Sequence, residues 1–344
     1  MSDGVLLVGG FAGTNGGGTR AQSVIKLDNV TRTLQPVAPG SNGVRITGGT
    51  LAAAAYYRGE LHIAATTAIT AANASATRAL PPLIHFANGT GWTEVRHAGA
   101  VDANGDLSSG GVAAMAATDA YLYVARGTTA AAGSCNNVAR WNGTHYSCLP
   151  VAALPSANGV NAFPMALVAA GTRVFIAGTF LKCGTAATGV TCGGIAVWDE
   201  ATATLAPLRA TLDGGSTTYE GVQTVASPST KHSLRWRPQT SELIVGGYAR
   251  AVGNTTLNVA VGGLVTLDYA NPLAPNWRSW SGTFAGTPTL GVEFAFAAGP
   301  ATTSAAYTSV DLPDGRVLVA GTFTFPNALL PRQLAIFDPA TSTR

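Results

Sequence analysis

The chain has five histidines, His62, His85, His97, His145 and His232, and no two of them stand at metal-ligand spacing in the sequence. His62 and His85 fall in two strands predicted for one repeat, where the fold can bring them near each other. Packed or edge histidines account for that pair, so no metal site is expected. The stretch "DANGDLSSGG" from Asp102 to Gly111 places oxygens at Asp102, Asn104 and Asp106, as a calcium loop does. However, Leu107 stands where such a loop turns on glycine, and Ala113 where it needs a bidentate glutamate, so a connecting loop is expected. The glycine-rich "GTNGGGTR" from Gly13 to Arg20 lacks the Lys-Ser/Thr ending of a phosphate loop and reads as another connection. "RWRP" (Arg235–Pro238) and "WRSW" (Trp277–Trp280) put cations beside indoles, a pairing that stacks on sugars or on a partner's aromatic rings. Arg235, Trp236, Arg237, Trp277 and Trp280 are therefore the candidate ligand-binding residues, and packing between repeats is the competing account of the tryptophans. No G-x-S-x-G motif, sialidase Asp-box or copper-radical ligand set is present, and no catalytic residue or cofactor is expected.

Four cysteines form two close sets, Cys135 with Cys148 and Cys183 with Cys192. Neither set has C-x-x-C spacing, so zinc and redox motifs are disfavoured, and hairpin-bracketing disulfides are expected over free thiols. Each would contribute about 2–3 kcal/mol by restricting the unfolded chain. N-x-[ST] acceptors occur at Asn29, Asn73, Asn88, Asn142 and Asn254. Paired cysteines and sequons together predict an extracellular or cell-surface location, with the cytoplasm as the alternative. The opening "MSDGVLLVGG" lacks a basic n-region and carries too short an apolar run for a signal peptide, which weighs against secretion.

Composition sets the frame for these residues. The chain has 344 residues, 47% hydrophobic and only 11% charged, too apolar for disorder and long enough for a large core. Lys plus Arg number 20 against 17 Asp plus Glu, and no basic run marks a nucleic-acid partner. No apolar stretch reaches the roughly 18 residues of a membrane-spanning helix, so this segment is not expected to insert into a membrane.

The elements that carry these residues are strands in a repeat. "VLLVGGFAG" begins at Val5, "ELHIAAT" at Glu60, "YLYVARGT" at Tyr121, "VFIAGTF" at Val174, "LIVGGYA" at Leu243 and "VLVAGTF" at Val317. Each is followed by a second apolar run ending in Asp or Asn, such as "NVARWNG" from Asn137 and "IAVWDEAT" from Ile195. The equivalent position after the first run is Gly10, Ala65, Arg126, Gly178, Gly247 and Gly321, giving steps of 55, 61, 52, 69 and 74 residues. Short runs rich in Val, Ile, Leu and aromatics, bounded by turn residues, are strands. Four antiparallel strands per unit, repeated, predict an all-β propeller of about six four-stranded blades with incomplete terminal blades. The repeats fall near 1–44, 45–108, 109–157, 158–215, 216–290 and 291–344. The first unit opens at its second strand and the last stops after its third. A segment of a longer repeat array is expected, with five blades plus a sixth built from both ends as the alternative. The Asp or Asn closing each third strand is expected to start an Asx-turn.

"DLPDGRVLVAGTF" (Asp311–Phe323) and "VFIAGTF…GGIAVWDEATATLAPL" (Val174–Leu208) resemble the repeats of Rax2-like and delta-60-type propellers, near the kelch group. The resemblance implies a propeller and, from the Rax2-like proteins, a cell-surface polarity role. The function expected is a non-catalytic interaction module that binds an unidentified protein or glycan through loops at one end of the blades. A secreted propeller enzyme acting on carbohydrate and an intracellular kelch-like adaptor are the alternatives. The first strands of the repeats ("LAAAAYY", "VAAMAA", "NAFPMALV") line the expected centre with apolar side chains, which disfavours the enzyme.

Overall fold

A computed structural model of the chain describes residues 4–14, 20–28, 34–35, 41–46, 51–65, 69–73, 76–80, 83–87, 91–95, 111–126, 135–149, 160, 164–184, 189–212, 214–224, 232–253, 258–279, 281–284, 287–290, 305–323 and 332–337. Among these residues the only helical element is a single 3-10 turn, Cys135–Asn137, and the rest of the regular structure is β. The chain divides into two compact units, Met1–Leu149 and Pro150–Arg344.

One pattern of pairing recurs. Leu51–Tyr57, Glu60–Ala65, Leu83–Ala87 and Gly91–Glu94 form a four-stranded sheet in chain order. Counting the sheet that starts at Gly4 as the first and the Leu51–Glu94 sheet as the second, Val112–Ala117, Leu122–Arg126, Val138–Trp141 and Tyr146–Cys148 form the third sheet, and Pro164–Ala170, Arg173–Gly178, Ile195–Asp199 and Thr204–Pro207 the fourth. Every pairing in these sheets is antiparallel between sequence neighbours in the meander. An up-and-down four-stranded meander, repeated along the chain, is the blade of a β-propeller, and the fold is an all-β propeller. At each end of the chain a three-stranded sheet follows the same order: Gly4–Thr14, Arg20–Asp28 and Leu34–Gln35 at the start, and Ala305–Asp311, Val317–Phe323 and Arg332–Phe337 at the finish.

Local chemistry explains the turns. Arg58 and Gly59 both have positive φ (51° and 79°), the two-residue hairpin geometry that matches strand twist. In "LPDGR" Gly315 takes φ 85° and donates to the Leu312 carbonyl at 3.0 Å. The Asx-turns expected after the third strands are present at Asn142, Asp199 and Asp268. The Asn142 Oδ1 accepts from the backbone N–H of Thr144 (2.9 Å) and His145 (2.8 Å), Asp199 Oδ1 from Ala201 (3.0 Å), and Asp268 Oδ1 from Ala270 (3.1 Å).

The recurrent small residue marks a β-bulge. Leu51 pairs with Ala65 and Ala53 with Ala64, leaving Ala52 as the extra residue. The same one-residue slip occurs between Val112 and Ala114 opposite Arg126, between Pro164 and Ala166 opposite Gly178, and between Ala306 and Thr308 opposite Gly321. A bulge bends the first strand and raises its twist at the same depth in these four sheets, whereas His232–Arg237 of the fifth sheet pairs with its neighbour without a slip.

The fifth sheet departs from the plain meander. His232–Arg237, Glu242–Gly253, Asn258–Asp268 and Asn276–Ser279 run in blade order. Arg209–Leu212, arriving from the preceding repeat, then adds to the outer edge in parallel, with Thr211 opposite Asn276 and Leu212 opposite Trp277. Thr218–Glu220 pairs back on it, and Val222–Thr224 pairs with the far half of Glu242–Gly253. The chain thereby covers an edge that would otherwise present unpaired N–H and C=O groups. Phe175, Ile195, Ala210, Leu243, Val265 and Trp277 belong to the buried cluster between this sheet and the one before it.

Two glycines let the backbones of this second unit touch. Gly193 (φ 56°) accepts from Val222 N–H at 2.8 Å, and Gly221 (φ 83°) donates to Leu208 O at 2.9 Å. A Cβ at Gly221 would lie 2.6 Å from Gly193 Cα and 2.7 Å from Cys192 O, both backbone atoms that cannot swing away. Gly221→Ala therefore costs about 2 kcal/mol or more, the left-handed penalty of about 1–2 kcal/mol plus the forced separation of two strands. Gly214→Ala, at φ 74° with nothing within 4 Å of a Cβ, carries the backbone penalty alone. Thermal melts should rank Gly221→Ala well below Gly214→Ala; equal losses would remove the close-approach argument.

Candidate functional site

Within each sheet, the turns that join the first and second strands are short, as at Arg58–Gly59 and Gly171–Thr172. The connections from second to third strand are where the chain elaborates. In the second sheet this connection contains the hairpin Ile69–Asn73 and Ala76–Leu80, which pairs in turn with Ser41–Ile46. In the fourth it contains Lys182–Cys183 paired with Val190–Thr191. In the fifth, the second and third strands lengthen to 12 and 11 residues. Antiparallel order puts all second-to-third connections at the same end of their own sheets, and that end carries the variation.

Both expected disulfides are formed at this end. Cys183–Cys192 closes the inserted hairpin with a Cα–Cα separation of 5.6 Å, and Cys183 also bridges to Val160. Cys135–Cys148 ties the connection of the third sheet to its fourth strand, at 4.6 Å between Cα atoms. Phe180 is buried at the root of the Cys183–Cys192 hairpin. Leu181 and Val190 beside it are 58% and 42% exposed. A cross-linked, anchored hairpin that shows aliphatic side chains to solvent is preorganised for contact, because little conformational entropy remains to be lost on binding.

The Arg/Trp candidates occupy quite different surroundings. Arg235, Trp236 and Arg237 lie on the first strand of the fifth sheet and Trp277 on its fourth. Trp277 is 0% exposed, and its Nε1 has no hydrogen-bond partner among the described residues. Trp236 is half-buried and stacks on Phe175 of the preceding sheet, with ring centroids 5.7 Å apart. Arg235 donates to Asp311 Oδ2 through Nε (2.9 Å) and a terminal nitrogen (2.6 Å), and to Ser309 O at 3.3 Å. Arg237 donates to Glu242 Oε2 at 2.8 Å, and its Nε lies 2.8 Å from Asp311 Oδ1, an ion pair whose N–H is not aligned as a hydrogen bond. Arg278 reaches Glu242 Oε1 at 3.3 Å and pairs with Asp268. These groups join the fifth sheet to the last one. Trp280 lies outside the described residues.

Among the histidines, the structure brings His62 and His85 together. They are direct partners on neighbouring strands, and their rings stack with centroids 5.3 Å apart. Glu60, two residues before His62, shares its face of the strand. Glu60 Oε2 lies 2.7 Å from His85 Nδ1, and His62 Nδ1 lies 3.2 Å from the Glu60 carbonyl. A carbonyl only accepts, so His62 Nδ1 carries the hydrogen and Nε2 the lone pair. Burial, with a smaller contribution from the facing His85, lowers the His62 pKa to about 4 and keeps the ring neutral at pH 7. His145 is exposed beside Asn142. His232 pairs by its backbone with Gly247, and His97 lies outside the described residues.

Of the sequons, Asn142 is exposed on its Asx-turn, and the Thr144 hydroxyl donates to its Oδ1 at 3.0 Å. Asn73 ends the strand Ile69–Asn73. Asn29, Asn88 and Asn254 lie outside the described residues, as do residues 101–110 of the calcium-like stretch and 15–19 of the glycine-rich one. None of the helices among the described residues is long and apolar enough to cross a membrane.

The chain is similar to the solved structure of YCF48 bound to D1 peptide, with a TM-score of 0.40 and 10% identity over 99% of this chain and 90% of that one. It is similar also to a chain of the nidogen/laminin complex (TM-score 0.37, 10% identity, 98% and 95% covered). A third is the extracellular domain of BT4673 from B. thetaiotaomicron (TM-score 0.40, 9% identity), where 95% of this chain matches 33% of that one. No protein-family model and no curated protein matches the chain.

Proposed function

We propose that this protein is a non-catalytic, extracellular or cell-surface interaction module that binds a protein partner through the second-to-third strand connections of its blades. The observation that carries this reading is the disulfide-closed hairpin at Cys183–Cys192, anchored by Phe180 and presenting Leu181 and Val190 to solvent. The blade does not need this insertion to pair its strands, since Arg173–Gly178 and Ile195–Asp199 pair without it. Exposed aliphatic side chains favour a protein surface over a glycan, which takes aromatic stacking and polar contacts. The two disulfides and the exposed Asn142 sequon support an oxidising compartment. The resemblance of the repeats to Rax2-like propellers supports a role at the cell surface in polarity.

The test has two arms. Membrane-impermeant biotin applied to intact cells should label the native protein, and Asn142→Gln should remove one glycan's worth of mass. The purified chain should bind the surface of those cells, and the paired change Leu181→Asp with Val190→Asp should weaken that binding at least about tenfold with an unchanged melting temperature. A protein found only inside the cell with four free thiols would sink the location, and full binding by the double variant would sink the assigned surface.

A further inference from the structure

We propose that Glu60, His62 and His85 form a binding site for a first-row transition-metal dication of the zinc type. The three residues offer one ring nitrogen each from the histidines and one oxygen from the carboxylate, all within 4.8 Å of one another. Two imidazoles with a carboxylate are a donor set that zinc takes, with a remaining position for water or another group.

The blade itself supplies the argument against simple packing. His62 stands three residues before the recurrent small position and faces His85 on the third strand. The equivalent pair is Leu7 with Ile25 in the first sheet, Phe175 with Val197 in the fourth, Ile244 with Thr266 in the fifth and Leu318 with Ile336 in the last. In the third it is Tyr123 with Arg140. Most blades therefore fill this position with apolar or half-apolar pairs, and the fold does not require imidazoles there. A local departure from the pattern that the scaffold prefers is where function is expected to reside.

The histidines are also held in place. His62 is 3% exposed, with the Tyr57 ring in an edge contact at 5.8 Å and the His85 ring stacked at 5.3 Å. Tyr57 is anchored by donating its hydroxyl to Ala120 O at 2.8 Å. His85 and Glu60 are more accessible, which opens a path for the ion from solvent. Bonds of about 2.0–2.2 Å require the donors to close by about 1 Å. The partly exposed Glu60 and His85 side chains have the freedom to make that movement. The dication takes the place of the hydrogen between His85 Nδ1 and Glu60 Oε2, and a neutral His85 then carries its hydrogen on Nε2.

Isothermal titration of Zn²⁺ into the full chain, stripped of metal with a chelator and dialysed at pH 7.5, tests the site. One equivalent is expected to bind, and Mg²⁺ and Ca²⁺ are expected not to. His85→Gln and Glu60→Gln should each weaken Zn²⁺ binding about 10-fold or more, while His145→Gln leaves it unchanged. His62→Gln changes a buried residue and can fail to fold, so the two accessible variants decide the matter. The proposal is overturned if no stoichiometric binding occurs, or if His85→Gln and Glu60→Gln melt like the parent and bind Zn²⁺ equally well.

Discussion

Replacing Trp277 with alanine is expected to destabilise the Pro150–Arg344 unit by about 3–5 kcal/mol, the usual loss for emptying a buried indole site. Trp277 is fully buried against the cluster that includes Leu243, Val265 and Leu267, and it stands between Leu267 on one neighbouring strand and Leu212 on the other. Trp277→Phe should cost much less, because it keeps most of the volume and deletes an N–H that has no partner among the described residues. Chemical denaturation followed by circular dichroism separates the two accounts of this tryptophan. A sugar-stacking residue would lose ligand on truncation and leave the melt unmoved. A large drop in the unfolding midpoint with alanine and a small one with phenylalanine is the pattern of a core residue. An unaffected alanine variant would refute the packing described here.

Arg237→Met should be the more damaging change of the two candidate arginines, at about 2–3 kcal/mol, because Arg237 is buried. The methionine keeps much of the stem's volume while removing the cation between Glu242 and Asp311. The loss falls below that of a wholly buried pair because Arg278 still reaches Glu242 and Arg235 still holds Asp311. Arg235→Met, at a more exposed position, should cost about 1 kcal/mol or less. Because both arginines share Asp311, the double variant should not lose the sum of the two, and a double-mutant cycle measures that coupling. Strict additivity would mean that the shared carboxylate does not link them.

The second and third strands of the repeat were legible because each is a short Val/Ile/Leu run closed by a residue with turn chemistry. "YLYVARGT" and "NVARWNG" contain the strands Leu122–Arg126 and Val138–Trp141, and the Asp or Asn at the end became an Asx-turn at three described positions. The pairing of Arg209–Leu212 beside Asn276–Ser279 was not legible, since parallel addition at an edge leaves no periodicity in either segment. The inserted hairpin at Ile69–Asn73 and Ala76–Leu80 is rich in Ala and Thr, so it lacks the apolar contrast that marks a strand. For the candidate site, residue type gave the cast but not the setting. A tryptophan reads alike in sequence whether its ring is sealed, as at Trp277, or half-buried, as at Trp236. That His62 and His85 can approach was legible from their place in two strands of one repeat, but their direct pairing required the register across an insertion. The alternation about Glu60 was the signal that could have drawn attention to it.

The disulfides also set how this chain answers a pull. Cysteines 13 and 9 residues apart enclose segments that no tension applied at the ends can straighten. Extended chain runs to about 3.3–3.6 Å per residue, so the two closed loops withhold roughly 40 Å and 25 Å of length from a stretched molecule. In an oxidising setting these two loops thus stay closed under load even after the strands around them part. A reductant releases that slack and lengthens the tether without cutting the backbone.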